Sequence, residues 1–332
     1  MRAEEQIVEP RLWDVLVGVV ASLTATLIPG PIVIRWLRSR FRERIVSDSR
    51  RLDELHAAKT GTPTMGGVLI AAGLVVGLCV CPVVGLGWEL RCQALVCLLT
   101  FTILGACDDY VKAVTGRKGL TIRQKLAWQL VLGGVMGLWL EWSGDRCAGL
   151  EQWGWDCWAG AVWTMLWVVA ASNAVNLTDG LDGLAAGSVV LSGAALAAGI
   201  FFASANAEWC VIPALAAAAA GGFLWYNRHP ARVFMGDAGA LPLGALLGFS
   251  AAGAGVEWGA LGCGFVFFVE MMSVVLQVLW YRRTQRRLLL CSPLHNHFVF
   301  AGVAEQRIVG WFWLCGLVFG VLSVWLMVSG LV

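Results

Sequence analysis

The sequence predicts an all-α polytopic membrane protein that forms a single integral-membrane domain over residues 1–332. Of the 332 residues, 58% are hydrophobic and only 14% are charged, whereas about a quarter of the residues in a soluble domain are charged. The apolar residues also occur in long stretches, and about 20 apolar residues in a helix cross the roughly 30 Å hydrocarbon core of a bilayer. These observations exclude an ordinary soluble enzyme.

Ten apolar stretches are long enough to cross a membrane, so we predict about ten transmembrane helices. The third and fourth stretches are short enough that either could lie partly in the membrane interface. The first is too long for a cleavable signal peptide and follows a segment of mixed charge, so we expect it to be a true span. The ten stretches are 12–34, 66–87, 90–107, 126–142, 160–177, 187–205, 209–227, 238–256, 259–281 and 308–331.

The positions of lysine and arginine predict the orientation of these helices. Twenty of the 24 basic residues lie in loops 35–59, 108–125, 228–237 and 281–307. Because basic loops remain in the cytoplasm, we expect these four loops on the cytoplasmic side and both chain termini outside the cytoplasm.

The 11 cysteines are scattered and lack the spacing of a metal site. Most lie within apolar stretches, where we expect them to be small packing residues. Cys147 and Cys157, in the external loop 143–159, are the one pair left open as a disulfide, because connectivity cannot be read from a sequence.

Five aspartates lie near the ends of apolar stretches, and the loop charges place all five on the cytoplasmic side. A carboxylate costs about 2.5–3.5 kcal/mol at mid-membrane and less near the interface, so five on one face indicate a shared function. Carboxylate oxygens are preferred ligands of Mg²⁺. The sequence therefore predicts a divalent cation that holds phosphates, near Asp108, Asp109, Asp179, Asp182 and Asp237.

Asp108 and Asp109 are adjacent in the segment ACDDYVK, where the third apolar stretch ends. Two carboxylates about 4 Å apart repel by up to roughly 4 kcal/mol at an effective dielectric constant of about 20, and a bound cation relieves this repulsion. Lys112 follows Asp108 by one helical turn and could orient it or contact an anionic substrate. The alternative is a solvated pair of acids at the membrane interface.

The segment NAVNLTDGLDGL, residues 173–184, follows the fifth apolar stretch. Asp179 and Asp182 are three residues apart and each is followed by a glycine, which lets the carboxylates converge and leaves backbone amides open to a ligand. Ordinary Asp-Gly turn chemistry would explain the glycines without a ligand. It would not explain why both turns lie at membrane depth after two asparagines.

The segment WYNRHPARVFMGDAG, residues 225–239, precedes the eighth apolar stretch. Asp237 lies where an N-cap is expected, and the free amides of a helix N-terminus also bind phosphate. The alternative is a plain N-cap, with Phe234 as an anchor at the membrane interface.

Two of the chain's four histidines, His295 and His297, lie in the segment SPLHNHF. They could supply a neutral ligand, a proton or, when protonated, a clamp for a diphosphate. A solvated pair is the alternative, and two histidines are too few for a zinc site. Glu270 lies within the ninth stretch, where we favour a structural role through hydrogen bonds to a helix break.

Together these segments resemble the polyprenyl-phosphate N-acetylhexosamine-1-phosphate transferases along nearly the whole chain and, within them, the phospho-N-acetylmuramoyl-pentapeptide transferases. The segment KTGTPTMGG is similar to the early cytoplasmic signature of these enzymes, and DDYVK is similar to their acidic dyad. NAVNLTDGLDGLA is similar to their central signature, and WYN with VFMGDAG to their nucleotide and metal segments. The resemblance also implies ten spans, external termini and cytoplasmic active-site loops.

The resemblance implies transfer of phospho-N-acetylmuramoyl-pentapeptide from UDP-N-acetylmuramoyl-pentapeptide to undecaprenyl phosphate, with Mg²⁺ required and UMP released. It implies the inner (cytoplasmic) membrane of a bacterial cell, membrane lipid as a partner, a possible homodimer and no nucleic acid. Carried over by position, Asp237 would be the metal ligand, and the residues at the chemistry would be Asp108, Asp109, Asp179, Lys112, His295 and His297. Substrate would contact Lys59, Asn176, Gly180, Leu181, Asp182, Asn227, Phe234 and Lys125, with Phe234 stacking on the uracil base.

One departure concerns the histidine segment, because the family has three consecutive histidines after Pro-Ile. Here Leu294 precedes the first histidine and Asn296 takes the middle position. Asparagine can form hydrogen bonds, but at neutral pH it neither ionises nor serves as an acid or base. An acid or base at the middle position is therefore not indispensable in this chain.

An acceptor phosphate with a second pKa of about 6 is largely ionised at neutral pH, so a strong general base is less needed than for a hydroxyl acceptor. We therefore favour direct attack, with Asp108 or Asp109 assisting. A covalent phospho-aspartate fits the same residues.

Two other functions remain open from the sequence. A UDP-N-acetylglucosamine-1-phosphate transferase would share the acids, although the Lys59 segment favours the muramoyl branch. A cation-coupled transporter could also place aspartates at membrane level. Its coupling sites would lie near mid-bilayer between paired repeats, and the sequence shows no such repeat.

Overall fold

The computed structural model describes residues 12–41, 59, 61–82, 86–115, 119–144, 157–204 and 206–331, and this part of the chain is helical with no extended strand. The Cys147–Cys157 pair lies outside the described side chains. The helices are α1 (Leu12–Leu27), α2 (Gly30–Arg40), α3 (Gly67–Val80), α4 (Trp88–Thr115), α5 (Ile122–Ser143), α6 (Cys157–Thr178), α7 (Leu184–Ala203), α8 (Val211–Asn227), α9 (Asp237–Ala254), α10 (Glu257–Cys263), α11 (Phe265–Thr284), α12 (Leu294–Phe300) and α13 (Glu305–Val328).

Every predicted apolar stretch overlaps at least one of these helices. Six helices are long and apolar enough to cross a membrane by themselves, and α1 with α2, bent by 43° at their junction, would make a seventh. The six are α4, α6, α7, α8 with the 3₁₀ turn before it, α11 and α13. The number of ten and the orientation of the termini stay predictions.

Helix α9 lies at the centre of the described structure, with α4 and α6 packed against it, and all of its residues are buried. Small residues make this close packing possible, as in other membrane helix bundles. A Cβ on Gly105 of α4 would overlap the carbonyl of Asp237, and a Cβ on Gly244 would overlap the carbonyl of Ala171 on α6. The backbone of α9 is therefore held close to both neighbours.

Helix α4 runs to Thr115, eight residues beyond the end of the apolar stretch that predicted it. The residues after Cys107 include no glycine or proline that would stop a helix before Thr115. Asp108 and Asp109 therefore lie on a regular helix rather than in a loop, and both are buried.

Helix α5 begins with a capping box. Thr121 Oγ1 accepts the N–H of Gln124 at 3.2 Å, and Gln124 Oε1 accepts the N–H of Thr121 at 3.1 Å. This arrangement satisfies two N–H groups that the helix cannot satisfy itself. It also fixes Lys125 in the first turns of α5, on the same end of the bundle as Asp108.

Candidate active site

Three of the five predicted aspartates meet in a buried group, which we call the carboxylate triplet: Asp108, Asp109 and Asp237. One oxygen from each carboxylate lies within 4.8 Å of the other two. Asp108 and Asp109 come from α4, and Asp237 is the first residue of α9. The close packing of these two helices therefore brings together acids that are 128 residues apart in sequence.

Lys112 lies among all three carboxylates. Its Nζ is 2.6 Å from Asp108 Oδ2 and 3.3 Å from Asp237 Oδ1. Asp109 Oδ1 is further away, at 3.6 Å. The predicted contact between Lys112 and Asp108, one turn apart on a helix, is present, and the lysine offsets part of the repulsion among the carboxylates.

Lys125 and Asn176 hold Asp237 from the opposite side. Lys125 Nζ donates to Asp237 Oδ2 at 2.6 Å and to Asn176 Oδ1 at 2.9 Å. The Asn176 side-chain amide donates to Asp237 Oδ1 at 2.8 Å. Helices α5, α6 and α9 therefore each contribute one side chain to this corner of the site.

Asp109 caps α9, which is a role the sequence did not predict. Its Oδ1 accepts the N–H of Asp237 at 3.1 Å and its Oδ2 accepts the N–H of Ala238 at 3.0 Å. The expectation that Asp237 is the N-cap is wrong: Gly236 takes that position, at φ 70°, without a side-chain cap. A Cβ on Gly236 would overlap Asp109 Oδ2, so glycine suits both the positive φ and the close approach.

Asp108 is held by the segment that precedes α5. Its Oδ1 accepts the N–H of Leu120 at 2.7 Å. Gly119 has φ 95°, and a Cβ there would lie 2.6 Å from Asp108 Oδ1. Asp108 therefore keeps one oxygen on the backbone of this segment and the other on Lys112.

A second polar group, which we call the Lys59 cluster, consists of Lys59, Asp182, His229 and Glu305. Lys59 Nζ donates to Asp182 Oδ1 at 2.7 Å and to Glu305 Oε1 at 2.6 Å. Glu305 Oε1 also accepts the backbone N–H of Asp182 at 2.6 Å. Asp182 thus lies in this cluster and not with Asp237, which differs from the expectation of one site for all five aspartates.

The remaining oxygen of Asp182 is also satisfied. Oδ2 accepts the N–H of Ala231 at 3.0 Å and lies 3.2 Å from His229 Nδ1. The Lys59 cluster therefore connects four chain segments. They are the first residue of the segment KTGTPTMGG, the loop after α6, the loop after α8 and the start of α13.

Asn227 and Phe234, two further residues predicted to contact substrate, make hydrogen bonds with the backbone of neighbouring segments. Asn227 Oδ1 accepts the N–H of Gly183 at 3.0 Å, and its amide donates to the carbonyl of Val233 at 2.9 Å. The N–H of Phe234 donates to the carbonyl of Pro63 at 2.8 Å. Asn227 therefore shapes the loops, whereas the half-buried ring of Phe234 carries no such structural bond.

The loop after α6 places its predicted residues in different environments. Asp179 is half-buried just past the end of α6 and joins neither of the two groups of described residues that could hold a metal. Gly180 is exposed, and Leu181 is buried in a small apolar cluster with residues of α11 and α13. Of the five predicted aspartates, Asp179 is thus the one that belongs to neither of these two groups.

The two histidines of the segment SPLHNHF contact different partners. His295 is buried and bonded to Glu270 through its backbone N–H and its Nδ1. His297 Nδ1 accepts the N–H of Leu290 at 3.2 Å. The structure therefore does not bring the two rings together at one ligand.

Sequence reasoning missed Glu305 and the contact of His229 with Asp182. The signal for Glu305 was present, because it is an acid at the end of an apolar stretch like the five aspartates. The signal for His229 was its place in the predicted nucleotide segment, two residues after Asn227.

The charges and atoms of the carboxylate triplet fit a divalent cation. Three buried carboxylates face two lysines, which leaves an excess of negative charge, and carboxylate oxygens are the ligands that Mg²⁺ prefers. Buried acids with an uncompensated charge are costly unless a cation or hydrogen bonds stabilise them. Apolar membrane-capable helices with such a site define a polytopic membrane enzyme that acts on phosphorylated substrates.

Comparisons with known proteins identify the family. Residues 92–254 match the glycosyl transferase family 4 profile. The chain is 40% identical to the phospho-N-acetylmuramoyl-pentapeptide-transferase of Moorella thermoacetica, over 95% of this chain and 99% of the relative. The enzymes of the same name from Desulforudis audaxviator and Shouchella clausii are 40% and 35% identical, over 93% and 95% of this chain and 97% and 98% of the relatives.

The chain therefore belongs to the phospho-N-acetylmuramoyl-pentapeptide-transferase family. This membership confirms the resemblance seen in the sequence, and it makes the protein a phosphoglycosyl transferase.

Proposed function

We propose that this protein transfers phospho-N-acetylmuramoyl-pentapeptide from its UDP carrier to undecaprenyl phosphate, releases UMP and requires Mg²⁺. The names of the relatives support the transferred group. The observation that carries the proposal is the carboxylate triplet with its two lysines, because exchange of one phosphoanhydride for another depends mainly on positioning and on neutralised charge.

In the same proposal the protein is a single inner-membrane domain with about ten spans, both termini outside the cytoplasm and the site facing the cytoplasm. The distribution of basic residues supports this orientation. Among the described residues, Arg232, Arg282 and Arg283 are exposed near the site's end of the bundle, where basic residues are favoured.

Mg²⁺ would be held by carboxylate oxygens of Asp237, with Asp108 and Asp109 beside it. When bound, it would supply positive charge that stabilises the phosphates during transfer. Asn176 and Lys125 keep the Asp237 carboxylate fixed in orientation through both of its oxygens. Preorganised ligands of this kind avoid the cost of reorganisation during the reaction.

The lysines would act on the phosphates directly. Lys112 has three donors and is 41% exposed in its side chain, so it can leave one carboxylate and contact a substrate phosphate while remaining beside the others. Both oxygens of Asp109 hold the N-terminus of α9, whereas one oxygen of Asp108 contacts the partly exposed Lys112. Asp108 is therefore the acid better placed to assist the acceptor when Lys112 contacts a phosphate. The acceptor phosphate attacks directly, since it is already largely ionised at neutral pH.

An apolar cavity supports the proposal that the acceptor carries a polyprenyl chain. It has a volume of about 90 Å³ and lies between α6, α7, α9, α10 and α11. Val175 lines it, and the next residue, Asn176, bonds to Asp237. The first carbons of a prenyl chain in this cavity would therefore place its phosphate close to the carboxylate triplet.

The Lys59 cluster and Phe234 would form the uridine pocket. Phe234 offers a ring for stacking on the base, and Lys59, His229 and Glu305 offer polar atoms beside it. Gly180, Leu181 and Asn227 would shape this pocket, with Asp179 at its edge. Because the two histidine rings have different partners, His295 and His297 would act on the diphosphate from separate positions.

The test uses purified protein with undecaprenyl phosphate, Mg²⁺ and either UDP-N-acetylmuramoyl-pentapeptide or UDP-N-acetylglucosamine, followed for UMP release. We expect release with the muramoyl donor only. Excess chelator should lower the rate at least about 100-fold, and added Mg²⁺ should restore it.

Full activity in chelator would contradict the metal requirement. Release with UDP-N-acetylglucosamine alone would assign the chain to the other transferase branch. Substrate flux across a vesicle membrane without UMP release would support a transporter.

A further inference from the structure

A buried histidine–carboxylate pair lies outside both the carboxylate triplet and the Lys59 cluster. Glu270, on α11, has no exposed surface, and the side chain of His295, on α12, is 2% exposed. Glu270 Oε1 accepts the backbone N–H of His295 at 3.1 Å, and Oε2 lies 3.2 Å from His295 Nδ1. Both carboxylate oxygens therefore contact the same residue.

The first of these contacts completes the N-terminus of α12. The first N–H groups of a helix have no partner within the helix, and a capping side chain usually supplies the acceptor. Pro293, which precedes α12, supplies none. Glu270 takes over this role from a different helix and so fixes α12 against α11.

The second contact orients the imidazole ring. Nδ1 of His295 lies 3.2 Å from Glu270 Oε2, and an ionised carboxylate oxygen accepts hydrogen bonds, so this contact fixes the orientation of the ring. The other ring nitrogen is Nε2. This nitrogen faces Gly180, because a Cβ placed on Gly180 would overlap Nε2.

We infer that Glu270 is a positioning residue of the transfer reaction, which holds His295 with Nε2 against the Asp179–Gly180 turn at the edge of the active site. This inference rests on the proposed function. A purely packing role would not require a carboxylate at this place, because a fully buried acid is costly and an apolar side chain would pack without that cost. The carboxylate is explained by the two N–H groups it orients.

The decisive variant is Glu270→Gln, which preserves the size of the side chain. Glutamine has one acceptor oxygen, so its NH₂ group would face one of the two N–H donors of His295. We expect kcat for UMP release to fall about tenfold or more, while the KM of the UDP-linked donor changes by less than about twofold, because His295 assists the transfer step.

Ser273→Ala is the matched control on the same buried face of α11. The Ser273 hydroxyl donates to the carbonyl of Glu270 at 2.6 Å, and we expect both kinetic constants to stay within about twofold of the wild type. A kcat of Glu270→Gln within twofold of the wild type would overturn the inference. So would an equal loss of activity in Glu270→Gln and Ser273→Ala.

A double-mutant cycle tests the contact between His295 Nε2 and Gly180 without substrate. This measurement does not need the Glu270→Gln variant, so it can be made even if that variant does not fold. The melting temperature in detergent is measured for Gly180→Ala, His295→Ala and the double variant. Because the added Cβ would overlap the ring, removing the ring should relieve most of the destabilisation caused by Gly180→Ala.

Additive effects in this cycle would show that Nε2 does not face Gly180 and would overturn the inference. The two proposals fail separately. A wild-type protein that releases no UMP would refute the proposed function, whereas the cycle would still report on the contact of His295 with Gly180.

Discussion

The carboxylate triplet and the Lys59 cluster both combine acids with lysines, yet they are built differently. In the triplet, three carboxylates on two helices, α4 and α9, face two lysines. In the Lys59 cluster, one lysine binds two carboxylates, and backbone N–H groups donate to Asp182 Oδ2 and to Glu305 Oε1. Each group has one carboxylate more than it has lysines, so the two groups differ in their supports. The triplet is carried by two packed helices, whereas the Lys59 cluster joins loops and the start of α13 through hydrogen bonds.

The difference indicates how one membrane protein separates two tasks. Buried carboxylates on packed helices cannot move apart to reduce their repulsion, so they bind a cation strongly and in a fixed place. A cluster made from loops and chain ends can rearrange when a ligand arrives. We therefore expect substitutions in the triplet to change the rate of transfer and substitutions in the Lys59 cluster to change the affinity for the donor.

The largest effect is expected for Asp237→Asn. Its loss of charge leaves Lys125 and Lys112 without their shared partner and removes the principal proposed metal ligand. We expect kcat for UMP release to fall at least about 1,000-fold, with little change in melting temperature. Glu89→Gln is the control, because Glu89 is an exposed acid at the opposite end of α4. A similar loss in Glu89→Gln would mean that any acid on this bundle has the same effect.

A smaller and more diagnostic effect separates Asp109 from Asp108. Both changes to asparagine should lower kcat at least about 100-fold. Only Asp109→Asn should also destabilise the protein, by about 1–3 kcal/mol, because its NH₂ group would face the N–H of Asp237 or Ala238. Thermal unfolding in detergent measures the difference. Equal stability of the two variants would remove the capping role from Asp109.

The smallest effect is expected for Glu305→Gln in the Lys59 cluster. The donor KM should rise about tenfold, which corresponds to about 1.4 kcal/mol, because Lys59 would lose one of its two carboxylate partners. The value of kcat should stay within about threefold. Gln306→Ala, an exposed neighbour, controls for disturbance of the start of α13. A fall in kcat with an unchanged KM would place Glu305 at the transfer step. It would contradict the expectation that the Lys59 cluster acts on donor affinity and the carboxylate triplet on the rate of transfer.

Much of the site could be predicted from the sequence. Asp108, Asp109 and Asp237 were identified because acids at the ends of apolar stretches are rare and costly, and the structure places all three together. The helical content and the apolar stretches followed from composition alone. The contact of Lys112 with Asp108 followed from the helical repeat.

The rest required contacts between residues that are distant in sequence. The position of Asp182 at the end of an apolar stretch grouped it with Asp237, although the family resemblance grouped it with Lys59. In the structure Lys59 and Glu305, 123 residues away on either side, hold Asp182. The cap on α9 was assigned to Asp237 because local rules look for a cap at the preceding position, and the actual acceptor, Asp109, comes from another helix. Glu270 was visible as a buried acid, but its partner His295 was not.

The sequence by itself determined the class of protein, the helices and the residue types at the chemistry, because hydropathy and helical period are local properties of a chain. Tertiary structure alone decided which charges meet across different helices and loops. The close packing of α9 against α4 and α6 depends on glycines that let backbones touch, and the pairing of each acid follows from that packing. Electrostatic partners are chosen by distance in space, which no local pattern records.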